Sequence, residues 1–126
     1  MKQSIEILIV TGSFVLQQGL GALLESLPGV ASVKAVRELA NAYLWLEAHQ
    51  PGIVLLDSIL LGPRPEMALE KIQTLSRETK RVLLVDDVQQ VNLMLAYAEA
   101  ILIKGISPST LTTIMTKLLS EKGDLI

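Results

Sequence analysis

The sequence predicts a doubly wound α/β domain, a parallel sheet covered by helices on both faces. Three observations carry that prediction. Five short runs rich in Val, Ile and Leu recur along the chain, and segments with helical spacing lie between and after them. Three of the five runs are almost purely apolar rather than alternating, as expected of strands buried on both sides.

The first run, Ile5-Glu6-Ile7-Leu8-Ile9-Val10, reads as a strand. Leu16, Leu20, Leu23, Leu24 and Leu27 then form the stripe of a first helix, ended by Pro28-Gly29. A second strand is expected over 30–33, and Leu39, Tyr43, Leu44 and Leu46 mark a helix that stops before Pro51. The third strand, over 53–56, precedes a helix marked by Ala68, Ile72 and Leu75. The fourth, over 82–85, precedes a weaker helical segment over 88–99. A fifth strand spans Ala100-Ile101-Leu102-Ile103. The last helix carries Leu111, Ile114, Met115 and Leu118, with Ser107 as N-cap and Pro108 in its first turn.

With 126 residues and no linker, repeat or low-complexity stretch, the chain is expected to form one domain over 1–126, large enough to bury its own core. Residues 7–24 contain no charge, but Thr11, Gly12, Ser13, Gln17, Gln18, Gly19 and Gly21 interrupt the apolar character. A strand, a turn and an amphipathic helix are expected there rather than a membrane span.

Composition removes several function classes. Without cysteine there are no disulfides, thiolate metal sites or thiol nucleophiles. Eleven basic against thirteen acidic residues, with 3% aromatics, argue against direct nucleic-acid binding by this domain. The single histidine, His49, leaves little room for a histidine metal site or a Ser-His-Asp triad. It lies at a helix end and is expected to cap or to face solvent. Trp45 is expected to be partly exposed packing, and Glu66, Glu70 and Lys71 a solvated helix face.

In doubly wound sheets the functional crevice lies at the carboxyl ends of the strands. The residues there are Thr11-Gly12-Ser13, Asp57-Ser58, Asp86-Asp87 and Lys104-Gly105. A carboxylate and an ammonium converging at that edge can hold each other or handle a phosphoryl group.

Several stretches are similar to response regulator receiver domains, in particular those preceding a helix-turn-helix output domain in LuxR/NarL-type regulators. They are Ile7-Leu8-Ile9-Val10, Gln18-Gly19-Leu20, the run from Leu23 to Val30, and His49-Gln50-Pro51-Gly52-Ile53-Val54-Leu55-Leu56-Asp57. Arg81-Val82-Leu83-Leu84-Val85 and Leu102-Ile103-Lys104-Gly105-Ile106-Ser107-Pro108 complete them. The resemblance implies a flavodoxin-like strand order 2-1-3-4-5 with five helices. It makes Asp57 the equivalent of the phosphoryl-accepting aspartate and Lys104 the equivalent of the lysine that pairs with the acyl phosphate.

The departures are as informative as the matches. Thr11 and Gly12 stand where the family has the two acids that hold Mg²⁺, and neither supplies charge. Asp86, followed by Asp87, stands where a Ser or Thr bonds the phosphoryl oxygens, and a carboxylate there repels a phosphoryl group. Ile101 replaces the aromatic switch residue, and Leu61-Gly62-Pro63 alters the loop after Asp57. The resemblance thus implies a degenerate receiver, or pseudo-receiver, without enzymatic activity, metal or cofactor.

Such a domain is expected to be cytoplasmic and to act in signalling or transcription control through homodimerisation or protein contacts. The resemblance places those contacts on the face of the fourth helix, fifth strand and fifth helix, including Met94, Tyr97, Ile106 and Met115, with core packing the competing role for each. The resemblance also implies a sensor kinase as a partner. Two alternatives stand beside this reading. Asp86 and Asp87 could ligate Mg²⁺ together with Asp57, restoring a working phosphoacceptor. Otherwise the turn Thr11-Gly12-Ser13 could receive a small anion through its backbone N–H groups. The run Glu121-Lys122-Gly123-Asp124-Leu125-Ile126 marks either the end of a stand-alone receiver or the start of a linker to a DNA-binding domain.

Overall fold

A computed structural model describes residues 4–121. The tail over 122–126, read above as a chain end or a linker, lies outside the described residues. The chain alternates β1 (Ile5–Val10), α1 (Phe14–Glu25), β2 (Val30–Val36), α2 (Leu39–His49), β3 (Ile53–Asp57), α3 (Pro65–Leu75), β4 (Lys80–Val85), α4 (Val88–Met94), β5 (Ala100–Ile103) and α5 (Pro108–Glu121). Short 3₁₀ turns at Ser58–Leu61 and Leu95–Tyr97 follow β3 and α4. The five strands are parallel in the order β2-β1-β3-β4-β5, as the resemblance implies.

The pleat of the continuous apolar strands divides the core into two layers. Ile7, Ile9, Ile53, Leu55, Val82, Leu84 and Leu102 turn toward α1 and α5, where they meet Leu20, Leu24, Leu111, Met115 and Leu118. Leu8, Val10, Val54, Leu56, Leu83 and Val85 turn the other way onto α2 and α3, against Ala42, Leu46, Ala68, Leu69 and Ile72. Every residue of β3 is buried; Ile53 and Leu55 enter one layer, Val54 and Leu56 the other, and Asp57 ends the strand at the edge of the sheet. Burying a Leu or Ile side chain of this kind is worth about 1.5–3 kcal/mol.

Several boundaries differ from the sequence expectation; β3 runs on to Asp57 and β4 starts at Lys80. β2 continues through Lys34-Ala35-Val36, because the edge strand stays in register with Leu8, Ile9 and Val10 of β1. α1 starts two residues before Leu16, where the Ser13 side chain accepts from the Leu16 backbone N–H at 3.1 Å, and ends at Glu25. The fourth helix stops at Met94 and tightens into the Leu95–Tyr97 turn instead of reaching residue 99. None of its residues is buried, so little packing sustains a longer helix.

The uncharged stretch 7–24 forms β1, a turn and most of α1. Among the described residues, no helix is long and apolar enough to cross a membrane.

Candidate functional site

The register of the sheet decides which residues meet at its carboxyl edge. Val10 pairs with Leu56, so the next residues, Thr11 and Asp57, stand side by side. Val85 pairs with Ile103, which sets Asp86 beside Lys104 in the same way. Since β3 and β4 are neighbours, the two pairs converge at the middle of the sheet.

Asp57 is almost fully enclosed, with 3% of its surface exposed. The Thr11 hydroxyl donates to Asp57 Oδ2 at 2.9 Å, and Thr11 Oγ1 accepts from the Ser13 backbone N–H at 3.1 Å. The other oxygen, Oδ1, accepts from the Ile59 backbone N–H at 3.3 Å and lies 2.7 Å from Lys104 Nζ. The same ammonium lies 3.0 Å from Asp86 Oδ1. Lys104 thus bridges two carboxylates, one buried and one half-exposed, and its Nζ lies within ion-pair distance of both.

Burial acts to lower the Lys104 pKa. Its hydrogen bonds to Asp57 and Asp86, and the charges of both carboxylates, outweigh that effect and hold the ammonium above its ordinary value of 10.5. The arrangement is a closed latch, a buried carboxylate with protein partners on both oxygens.

These contacts test the fit of Mg²⁺, the cation that the receiver resemblance implies. Thr11 is already committed to Asp57, and Gly12 presents only backbone. Lys104 Nζ fills the space between Asp57 and Asp86 where a cation would neutralise them. Asp87 caps α4 instead, its Oδ1 accepting from the Gln90 backbone N–H at 3.2 Å, while Gln90 Oε1 accepts from the Asp86 N–H at 2.8 Å. Among the described residues no group of three His, Asp or Glu side chains is placed to hold a metal ion. The donor set does not fit Mg²⁺, whose small radius demands several hard oxygen ligands.

The structure therefore brings Thr11, Asp57, Asp86 and Lys104 together and leaves Asp87, Gly12 and Ile101 apart. Gly12 is exposed, and its carbonyl accepts from Arg37 Nη2 at 3.2 Å. Ile101 is half-buried against the α2–α3 layer. In the Thr11-Gly12-Ser13 turn the Ser13 N–H donates to Thr11 Oγ1, and the Ser13 hydroxyl oxygen accepts from the Leu16 N–H. Met115 is fully buried, so it belongs to the core and not to an interaction face. Met94, Tyr97 and Ile106 are half-buried and packed on the two layers.

His49 is exposed as expected and stacks on Trp45 with ring centroids 4.1 Å apart. Lys71 is not simply solvated, since its Nζ lies 4.4 Å above the Tyr43 ring. Sequence reasoning missed Arg81, a buried guanidinium at the start of β4 that donates to the Leu69 carbonyl at 3.2 Å and pairs with Glu99 at 3.4 Å. The one available signal was a charge directly before an apolar run. It also missed the capping pattern Asp87-Val88-Gln89-Gln90, which was legible as an acidic N-cap followed three residues later by glutamine.

No family model matches the chain, and no curated protein matches its sequence. The fold, in contrast, is shared with solved receiver structures. A LuxR-family two-component response regulator from Aurantimonas sp. SI85-9A1 superposes with a TM-score of 0.79 at 21% identity, covering 94% of this chain and 87% of that one. A CheY-like response regulator receiver domain from Methanospirillum hungatei JF-1 gives 0.80 at 21% identity, with 97% of each chain covered. Another from Methylobacillus flagellatus gives 0.76 at 18% identity over 94% of this chain and 99% of that one. The chain has the fold of a response regulator receiver domain.

Proposed function

We propose that this chain is a receiver-type signalling domain that works without phosphoryl transfer and without a metal, acting through protein contacts in two-component-type signalling or transcription control. The observation that carries the reading is the Lys104 bridge. Its ammonium is shared between Asp57 and Asp86, while Thr11 holds the remaining Asp57 oxygen. A phosphoryl donor approaching Asp57 meets a carboxylate with both oxygens occupied and a second negative charge at Asp86, 53% exposed beside it. Three protein groups already hold the Asp57 oxygens, and the one cation beside them is shared with the Asp86 carboxylate, so little positive charge is left to neutralise an incoming phosphoryl group.

The same bridge ties the start of α4 to the centre of the sheet, because Asp86 lies one residue before the Asp87 cap. Here the Asp86 carboxylate makes that link directly to Lys104. The contact surface we assign is the face of α4, β5 and α5, for either a second copy or another signalling protein, with a sensor kinase among the candidates. The exposed Val88, Leu93 and Leu95 support that choice. The net charge of −2 favours protein over nucleic acid as the direct partner, and a cytoplasmic location follows from the signalling role.

The test is intact mass after incubation with Mg²⁺ and a small phosphoryl donor, beside an Asp57→Asn control. The expected result is no phosphoryl-sized gain while the protein stays folded. A gain that disappears in the control would overturn the proposal and return Asp86 and Asp87 as metal candidates.

A further inference from the structure

Next to the latch, but outside it, the carboxyl edge of β1 and β2 forms a groove of about 560 Å³ with α2. Its lining includes Gly12, Lys34, Arg37, Glu38 and Asn41. In a chain whose net charge is −2, this is a locally positive site, with two cations against one carboxylate. Among the described residues, neither Lys34 nor Arg37 has a carboxylate within ion-pair distance. Arg37 spends one N–H on the Gly12 carbonyl, which holds the guanidinium at the groove and leaves its other donors available. Gly12 adds no side chain to narrow the opening, and nothing lies within 4 Å of where a Cβ would stand.

We propose that this groove binds a small phosphate-bearing anion. Charge sets the sign of the ligand and the number of donors sets its class. Lys34 and Arg37 against Glu38 leave the groove with a net charge of +1, which favours an anion, and its three separate donor side chains, Lys34, Arg37 and Asn41, exceed what the two oxygens of a carboxylate can engage. The Arg37 fork matches two phosphate oxygens, Lys34 acts as a point charge, and the Asn41 amide can donate to a third oxygen. The volume exceeds that of phosphate alone, so the groove also has room for the organic body of a phosphomonoester. The site lies apart from the Asp57 carboxylate and stands whether or not Asp57 accepts a phosphoryl group.

The test is an amide chemical-shift titration of the whole chain with inorganic phosphate and, separately, glycerol 3-phosphate, at ionic strength held constant with chloride. Saturable shifts centred on Gly12, Arg37 and Asn41 are expected. Lys34→Ala and Arg37→Ala should each weaken binding by about tenfold, as loss of one charged hydrogen bond implies. Lys71→Ala, an exposed cation on another helix, should leave binding unchanged. Tighter binding of glycerol 3-phosphate identifies a phosphomonoester as the ligand class, and equal binding identifies phosphate itself. No saturation by about 20 mM, binding that survives both substitutions, or shifts centred on Asp57, Asp86 and Lys104 would overturn the proposal. Both substituted residues are exposed, and retained amide dispersion shows that the variants fold.

Discussion

At the scale of single residues, the cluster depends on one cation serving two acids. Removing Lys104 leaves the buried Asp57 without its counter-charge, a situation that costs about 3–5 kcal/mol when one partner of a buried pair is lost. Lys104→Met should therefore lower stability steeply in denaturant unfolding, and adding Asp57→Asn should recover much of the loss. The pH dependence has a defined sign. Because the Lys104 pKa is raised in the folded state, its contribution is fully present below the ordinary value of 10.5 and is lost as pH rises through the higher folded value. Wild-type stability should thus fall above about pH 10.5 more steeply than that of Lys104→Met; parallel curves would show that the bridge contributes little. Thr11 offers a subtler probe. Thr11→Val keeps the shape and removes the hydroxyl that serves Asp57 and Ser13, at an expected loss of about 1–3 kcal/mol in urea unfolding, with no loss of fold.

At the scale of elements, α4 and α5 present opposite cases. α5 sends Leu111, Met115 and Leu118 into the core, whereas no residue of the seven in α4 is buried. α4 is held instead by its Asp87 cap, the Gln90 return bond and the Asp86 link to Lys104. Its amides should exchange with solvent well before those of α5, and Asp87→Ala, which costs about 1 kcal/mol at a cap, should speed exchange over 88–94 selectively. Leu93→Glu, at a position 70% exposed, should leave stability within about 0.5 kcal/mol yet abolish any self-association measured by sedimentation. Met115→Ala, by contrast, empties a fully buried site and should cost about 2–5 kcal/mol. Sedimentation unchanged by Leu93→Glu in a protein that does self-associate would move the interface off this face.

At the scale of the whole molecule, the sheet and its two layers were legible because continuous apolar runs admit few other arrangements. The meeting of Asp57 with Lys104 followed from strand ends alone. What periodicity could not reveal was the use made of Thr11 and Asp86, because that depends on register: Val10 against Leu56 and Val85 against Ile103 place these two side chains within reach of their partners. The early stop of α4 was also hidden, since its apolar residues look like core residues until the packing shows them exposed. On the proposed reading, the same geometry says what would keep the scaffold from phosphoryl chemistry. The receiver resemblance makes Asp57 and Lys104 the phosphoacceptor pair, which lie 2.7 Å apart, and what that resemblance lacks here is a cation-holding acid pair and a neutral hydroxyl at position 86. The Gly12 backbone is not in the left-handed region, and the open space around it leaves room for a carboxylate. Combining Thr11→Asp, Gly12→Asp and Asp86→Thr frees Lys104 from Asp86 and supplies three carboxylates around one cation position. That variant should be less stable than the parent without divalent cation, because like charges crowd the edge, and should regain stability in Mg²⁺. Incubated with a small phosphoryl donor, it should gain one phosphoryl-sized mass increment that requires Mg²⁺ and disappears with Asp57→Asn. Mg²⁺-dependent stabilisation without that gain would place the block beyond these three positions, with Ile101 and the shortened α4 the next elements to restore.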